Sequence, residues 1–219
     1  MRPNSHKCKL KLKSKKIYLI RHGQTDYNKR GMVQGSGIDA PLNETGYQQA
    51  TAFFKAYRDI SFDKIYISTL QRTLQSVQSF LDLGIPYERL SGLNEINWGE
   101  KEGMPLSEKD HDYYLKVTSA WESGQVDLGI AGGESPLDVQ SRQKVALKHI
   151  ITQTDEKTIL ICMHGRAMRI LLCELLNYHL RYMDTFPHTN LGLYKINYSG
   201  KRFSIEWTND TRHLNGFTT

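Results

Sequence analysis

Residues 17–28, IYLIRHGQTDYN, run from a strand-like apolar segment, Ile17 to Ile20, straight into an arginine, a histidine and a glycine with no spacer. A short strand here delivers a histidine, and the glycine after it lets other backbone approach closely. A similar unit recurs at 159–165, ILICMHG, where another β-rich run ends in histidine and glycine. Ligands of open α/β sheets bind beyond the carboxyl ends of the strands, so His22 and His164 meet there if their strands are neighbours.

Strand-like and helix-like stretches alternate around these two units. Strands are expected at 16–20, 64–68, 158–163, 191–197 and 202–208, with a short one at 87–90. Helices are expected at 45–57, 70–83, 106–121, 136–151 and 166–176. This order predicts a three-layer α/β/α sandwich with a mostly parallel central sheet. The last two strands, separated by NYSG, form a hairpin, so the sheet is mixed. Ser135, Pro136 and Asp138 make a capping box with proline at the first helical position. Asn43 or Thr45 caps the first long helix and Thr69 the next, which ends before Gly84 and Pro86. Residues 99–133 fit the alternation least. They read either as a helical and loop insertion over one end of the sheet or as a plain crossover within a single domain spanning 17–219.

At 219 residues the chain is long enough for one well-buried core, and 39% apolar content suits a folded protein. The net charge of +6 belongs to a leader: residues 1–16 hold Arg2 and six lysines with no acid, and the remaining 22 basic residues meet 23 acidic ones. That leader lacks the apolar core of a secretory signal, and no segment has the roughly 18 apolar residues of a membrane span. A cytoplasmic protein is therefore expected, with no membrane partner. The three cysteines, Cys8, Cys162 and Cys173, have no metal-ligand spacing and are too few for a disulfide scaffold. A dimer is the default expectation for a soluble enzyme of this size.

A third strand, KIYIS at 64–68, feeds TLQRT and puts Arg72 in the first turn of the following helix, facing the same sheet edge. With Arg21 the composite is two arginines and two histidines around a concavity. That is a phosphate site in composition, because guanidinium forks match phosphate oxygens and stay charged at all relevant pH. Metal binding is the rival use of two strand-end histidines, but it wants a nearby carboxylate or thiolate and tolerates neighbouring arginines poorly. Asp26 is poorly placed for it, and Cys162 is expected to point away from His164. Neither a metal nor another cofactor is expected.

LIRHGQTDYN, VQGSGIDAPLNETG, ISTLQRT, LNEINWGEKEG, GGES, MHG and NDTRHL occur in this order across nearly all of residues 17–214. The ordered set resembles the histidine phosphatase superfamily, the phosphoglycerate mutase-like branch 1. The resemblance implies that His22 is the nucleophile that becomes phosphorylated and that Arg21, Arg72 and His164 complete the phosphate pocket. It assigns Glu95 as the acid that protonates the leaving oxygen and Asn28 as a further polar residue near the phosphate. Gly35, Asp39, Pro41, Leu42 and Gly46 match the loop and helix start after the first motif, where a structural role is favoured although Gly35 is also a candidate phosphate contact. Glu134 and Ser135 match a segment read as structural support. One departure is the residue order around Trp98 and Lys101, which leaves the acid intact and bears on substrate preference; Lys101 is a candidate sensor of a second anionic group.

The implied activity is hydrolysis of a small-metabolite phosphate ester through a phosphohistidine, the substrate being of sugar phosphate, phosphoglycerate-like or ribazole phosphate type. The alternatives are a phosphoglycerate mutase and a non-catalytic module binding a phosphorylated ligand or nucleic acid. Familiar mutases carry an arginine-arginine-serine and an arginine-histidine-tyrosine-glycine stretch, and neither lies between Glu95 and Glu134. A binding module requires a defect in the nucleophile or acid, yet both residues are present. Beyond the basic leader no nucleic-acid motif is found, so no specific nucleic-acid partner is expected.

Overall fold

Register decides whether the two histidine-bearing strands share a site. The computed structural model, which describes residues 14–104 and 108–216, has strands β1 (Lys15–Arg21), β2 (Lys64–Ile67), β3 (Tyr87–Arg89), β4 (Thr158–Met163), β5 (Leu193–Tyr198) and β6 (Phe203–Asp210). They form one sheet in the order β3-β2-β4-β1-β5-β6. β1 pairs with β4 in parallel, Arg21 opposite Met163, so the next residues along, His22 and His164, leave the sheet side by side. The His22 amide donates to the Met163 carbonyl at 3.0 Å and extends the ladder one step past the strands. β2 and β3 are parallel to this pair, while β5 runs antiparallel to β1 and β6 antiparallel to β5, as the hairpin reading required.

The helices are α1 (Asp26–Lys29), α2 (Glu44–Tyr57), α3 (Gln71–Leu81), α4 (Glu108–Ser123), α5 (Pro136–Thr152) and α6 (Gly165–Leu176). Alternation along β1 and β4 splits the core between the two sheet faces. Ile20, Leu160 and Cys162 join Phe53 of α2 and Phe80 of α3 on one face. Leu19, Ile161 and Met163 join Val139 of α5 and Leu171 of α6 on the other. The result is a three-layer α/β/α sandwich. Burying side chains such as Leu19 and Ile20, both at 0% exposure, contributes about 2 kcal/mol each.

Several local expectations need adjusting. Asn43, rather than Thr45, caps α2 by accepting from the Gly46 amide, whereas Ser135 and Asp138 form the expected capping box. Thr69 does not cap α3: its hydroxyl and amide both turn to Asn94 Oδ1, and the Gln71 amide is met by Asp39 Oδ1 from a distant loop at 2.7 Å. β5 begins two residues later than expected, because Leu191 has a φ of 56° and its amide donates to the Arg21 carbonyl before the strand starts. Residues 1–13 of the leader, Cys8 and Leu106 lie outside the described residues. Among those described, no helix is long and apolar enough to cross a membrane.

Candidate active site

The arginine-histidine-glycine sequence needs no spacer because each residue has its own partner immediately beyond β1. A Cβ on Gly23 would lie 2.7 Å from the Gly46 carbonyl oxygen, and one on Gly46 would lie 2.1 Å from that of Gln24, so two glycines let the turn and the start of α2 touch. The Gly23 carbonyl then accepts from His22 Nδ1 at 2.7 Å. A carbonyl only accepts, so Nδ1 carries the proton and the neutral ring keeps a lone pair on Nε2. Burial, followed by the charges of Arg72 and Arg21, holds the His22 pKa well below its ordinary value. The ring is therefore neutral and 3% exposed.

His164 has the same strand-end position and different bonding. Arg72 Nε donates to its Nδ1 at 3.2 Å, and its Nε2–H is 2.8 Å from Ser68 Oγ. Burial, Arg72 and His22 push its pKa well down too, and its ring centroid lies 5.1 Å from that of His22. Arg72 also donates from Nη1 to the Ile38 carbonyl at 2.7 Å and from Nη2 to the Gly35 carbonyl at 3.2 Å. Gly35 thus holds the arginine through its backbone, and a Cβ there would collide with Glu102 Oε1.

Arg21 Nη1 donates to His188 Nδ1 at 3.2 Å and to the His188 carbonyl at 3.0 Å, while its Nε is buried with no partner. Neither Arg21 nor Arg72 meets a carboxylate among the described residues, and Arg72 is 0% exposed. Burial lowers both guanidinium pKa values to about 10, so both remain charged at neutral pH. Glu95 exerts the largest favourable charge effect on both, joined at Arg72 by Asp39 and Glu102, but none of these carboxylates closes an ion pair with either guanidinium among the described residues.

Glu95 lies across the start of α6. Its Oε1 accepts from the Ile96 and Ala167 amides at 3.0 and 2.8 Å, and Oε2 from the Arg166 amide at 3.1 Å. Oε2 accepts only this one hydrogen bond among the described residues. Arg142 of α5 fixes the segment from behind by donating to the carbonyls of Gly92, Asn94 and Glu95, and Glu134 holds Arg142 through Nε at 2.8 Å. Glu134 thus supports the segment that carries Glu95, while Ser135 caps α5.

A cleft of about 300 Å³ opens beside this cluster, lined among others by Arg21, Asn28, Glu95, Trp98, Tyr114 and Arg166. Asn28 Oδ1 is taken by the Thr25 amide and by Asn190 Nδ2, and its own Nδ2 has no protein partner among the described residues. Lys101 is not among the lining residues; its Nζ stands over the Tyr113 ring at 5.4 Å. The cations on the wall are instead Arg21, Arg166 and Arg169.

The expected orientation of Cys162 is wrong. Residues two apart on a strand share a face, so Cys162 lies on the same side as the position of His164, close enough for Ser76 and Arg72 to act on its thiol. Burial raises the thiol pKa and leaves it a core group rather than a thiolate ligand. Among the described residues no three His, Cys, Asp or Glu side chains gather as a metal site.

The family model of the histidine phosphatase superfamily (branch 1) matches residues 17–211. The chain belongs to this superfamily. It is 32% identical over 157 residues to fructose-2,6-bisphosphatase TIGAR B of Danio rerio, an alignment covering 69% of this chain and 57% of that protein. It is 28% identical to an uncharacterized phosphatase, PhoE, of Bacillus subtilis, over 92% of this chain and 97% of the other. A crystal structure of a mutant phosphoserine phosphatase from Entamoeba histolytica, in complex with phosphoserine, superposes with a TM-score of 0.80 at 27% identity, covering 91% and 99% of the two chains.

In this histidine phosphatase the sequence motifs locate Arg21, His22, Asn28, Gly35, Arg72, Glu95 and His164, and the fold brings all of them to one sheet edge. Sequence reading missed Gln34, His188, Arg166 and Arg169. Gln34 sits inside a quoted motif, and its Nε2 is buried without a partner while its Oε1 accepts from Thr25. His188 lies in a loop, FPHTN, that no periodicity marks. Arg166 follows MHG directly and Arg169 lies one turn later, both within the helix pattern expected at 166–176.

Proposed function

We propose that this histidine phosphatase is a phosphomonoesterase that hydrolyses a small phosphorylated metabolite through a phosphohistidine at His22. The observation that carries the reading is a neutral histidine whose Nε2 has no protein partner among the described residues, beside the buried Arg72 and the part-buried Arg21, neither of which forms an ion pair with a carboxylate among those residues. In the first step Nε2 attacks phosphorus, the ester P–O bond breaks, and the leaving oxygen takes the proton from Glu95 Oε2. Arg21 and Arg72 hold the equatorial oxygens as charge redistributes. In the second step water attacks phosphorus, the N–P bond breaks, and the water proton passes to Glu95. Ester and water become alcohol and inorganic phosphate, and the enzyme is restored.

The substrate carries a second anionic group. Arg166 and Arg169 on the cleft wall share one carboxylate, Asp184, at 2.6 and 2.5 Å, which leaves an excess positive charge there. The names of two relatives, a fructose-2,6-bisphosphatase and a phosphoserine phosphatase, fit this class. Sugar phosphates with a second phosphate and phosphorylated carboxylic acids are the first compounds to screen.

Hydrolysis of p-nitrophenyl phosphate by the intact protein and by His22→Ala, both in excess EDTA, tests the chemistry. Turnover by the intact protein alone supports it. Activity abolished by EDTA, or retained in the variant, overturns it.

A further inference from the structure

Arg21 reaches the site with a choice of two edges to present. Its Nη1 is saturated: one hydrogen goes to His188 Nδ1 and the other to the His188 backbone carbonyl, at 3.2 and 3.0 Å. What remains is the edge formed by Nε and Nη2, and Nε is buried without a partner. This side-on edge is the fork that matches two oxygens of one phosphate.

We infer that His188 is a positioning residue for phosphate binding, which acts by clamping Nη1 so that the Nε–Nη2 edge of Arg21 faces the phosphoryl group. The inference rests on the reading of the cleft as a phosphoester site and adds the device that orients its arginine.

Three observations support it. His188 lines the same cleft as Arg21 and Glu95. Its ring is held against Gly165, where a Cβ would come within 3.2 Å of Cε1 and 3.4 Å of Arg21 Nε, so no larger residue fits there without displacing the ring or the arginine. The imidazole is also electrically suited to accepting: burial, then the charges of Arg21 and Arg169, lowers its pKa to about 3, so Nδ1 keeps its lone pair at physiological pH. A protonated ring would instead repel the guanidinium it has to hold. His188 Nε2–H has no protein partner among the described residues, consistent with a ring held chiefly through Nδ1.

The test compares His188→Asn, whose amide oxygen replaces Nδ1 as acceptor, with His188→Leu, which keeps bulk and removes the acceptor. Binding of inorganic phosphate is measured by calorimetry below the melting temperature of each variant, so the readout does not depend on turnover. The leucine variant should bind phosphate about tenfold more weakly and the asparagine variant within about threefold of the parent, the range for one hydrogen bond to a charged group. Equal weakening in both variants, or unchanged affinity in the leucine variant, overturns the inference. The hydrolytic reading fails separately: a parent that binds phosphate and never turns over an ester contradicts that reading and leaves the comparison of variants intact.

Discussion

The ends of the parallel strands β1 and β4 carry the same dipeptide, His-Gly, side by side in register, and use it in opposite ways. At β1 the turn offers a carbonyl to one ring nitrogen, and no described residue meets the other, so His22 keeps an unshared lone pair on Nε2. At β4 both ring nitrogens are occupied, by Arg72 and by Ser68, so His164 holds a guanidinium in place. Matching motifs therefore fix where side chains arrive, while the hydrogen bonds waiting for them fix what they do.

The largest expected effect separates the two histidines. His22→Ala should lower kcat by at least about a thousandfold, the usual consequence of deleting a nucleophile. His164→Asn, which keeps an acceptor for Arg72 Nε, should cost only about a hundredfold or less. Steady-state kinetics on one ester decides it, and equal losses would break the division of labour.

Glu95 extends the β4 side of the comparison, because it is fixed by the first amides of α6. Glu95→Gln preserves much of that bonding and removes the transferable proton. It should slow alkyl phosphates by about 10²-fold or more and aryl phosphates much less, since a phenolate leaves without help. Equal slowing of both classes would make Glu95 a helix cap alone.

Both histidines should also appear in the pH dependence of stability. Each is neutral when folded, with its pKa held well below the ordinary value, and protonates near pH 6.5 when unfolded. As pH falls below 6.5 the unfolded chain binds more protons than the folded one, so stability drops, by about 1 kcal/mol for each histidine between pH 6.5 and 5.5. Denaturant melts between pH 6.5 and 5.5 measure the slope. His164→Asn should reduce it by one histidine's share, and a flat profile in the parent would contradict the buried neutral rings.

The smallest contrast concerns the glycines. A Cβ at position 23 meets the backbone oxygen of Gly46 at 2.7 Å, which cannot step aside cheaply, whereas one at position 165 meets the His188 ring at 3.2 Å. Gly23→Ala should cost about 1–3 kcal/mol of stability and Gly165→Ala less. Thermal unfolding ranks them, and the reverse order would mean that the turn at 23 is the looser of the two.

The strands were legible because their apolar runs are continuous, and the reactive residues because they sit at strand ends, where chain direction alone places them on one edge. The helix caps were legible only where the partner is local. Ser135 and Asp138 are three residues apart and could be paired by eye, but α3 takes its cap from Asp39, which arrives through the tertiary fold. His188 escaped for the same reason: it reaches Arg21 from 167 positions away, in a loop without a pattern. The misjudged direction of Cys162 came from applying strand alternation with the wrong parity, and the core on the α2 and α3 side corrects it.

The proposed hydrolysis places the transferred phosphoryl group on Nε2 of His22. Rapid quenching of the enzyme during turnover into alkali, where phosphohistidine survives, followed by peptide mass spectrometry, locates it directly. Hydrolysis through His22 predicts an acid-labile phosphoryl group on the peptide containing His22, formed within the first turnover and absent from His22→Ala. A phosphoryl group on His164, or steady turnover with no phosphorylated peptide at any time, would contradict it.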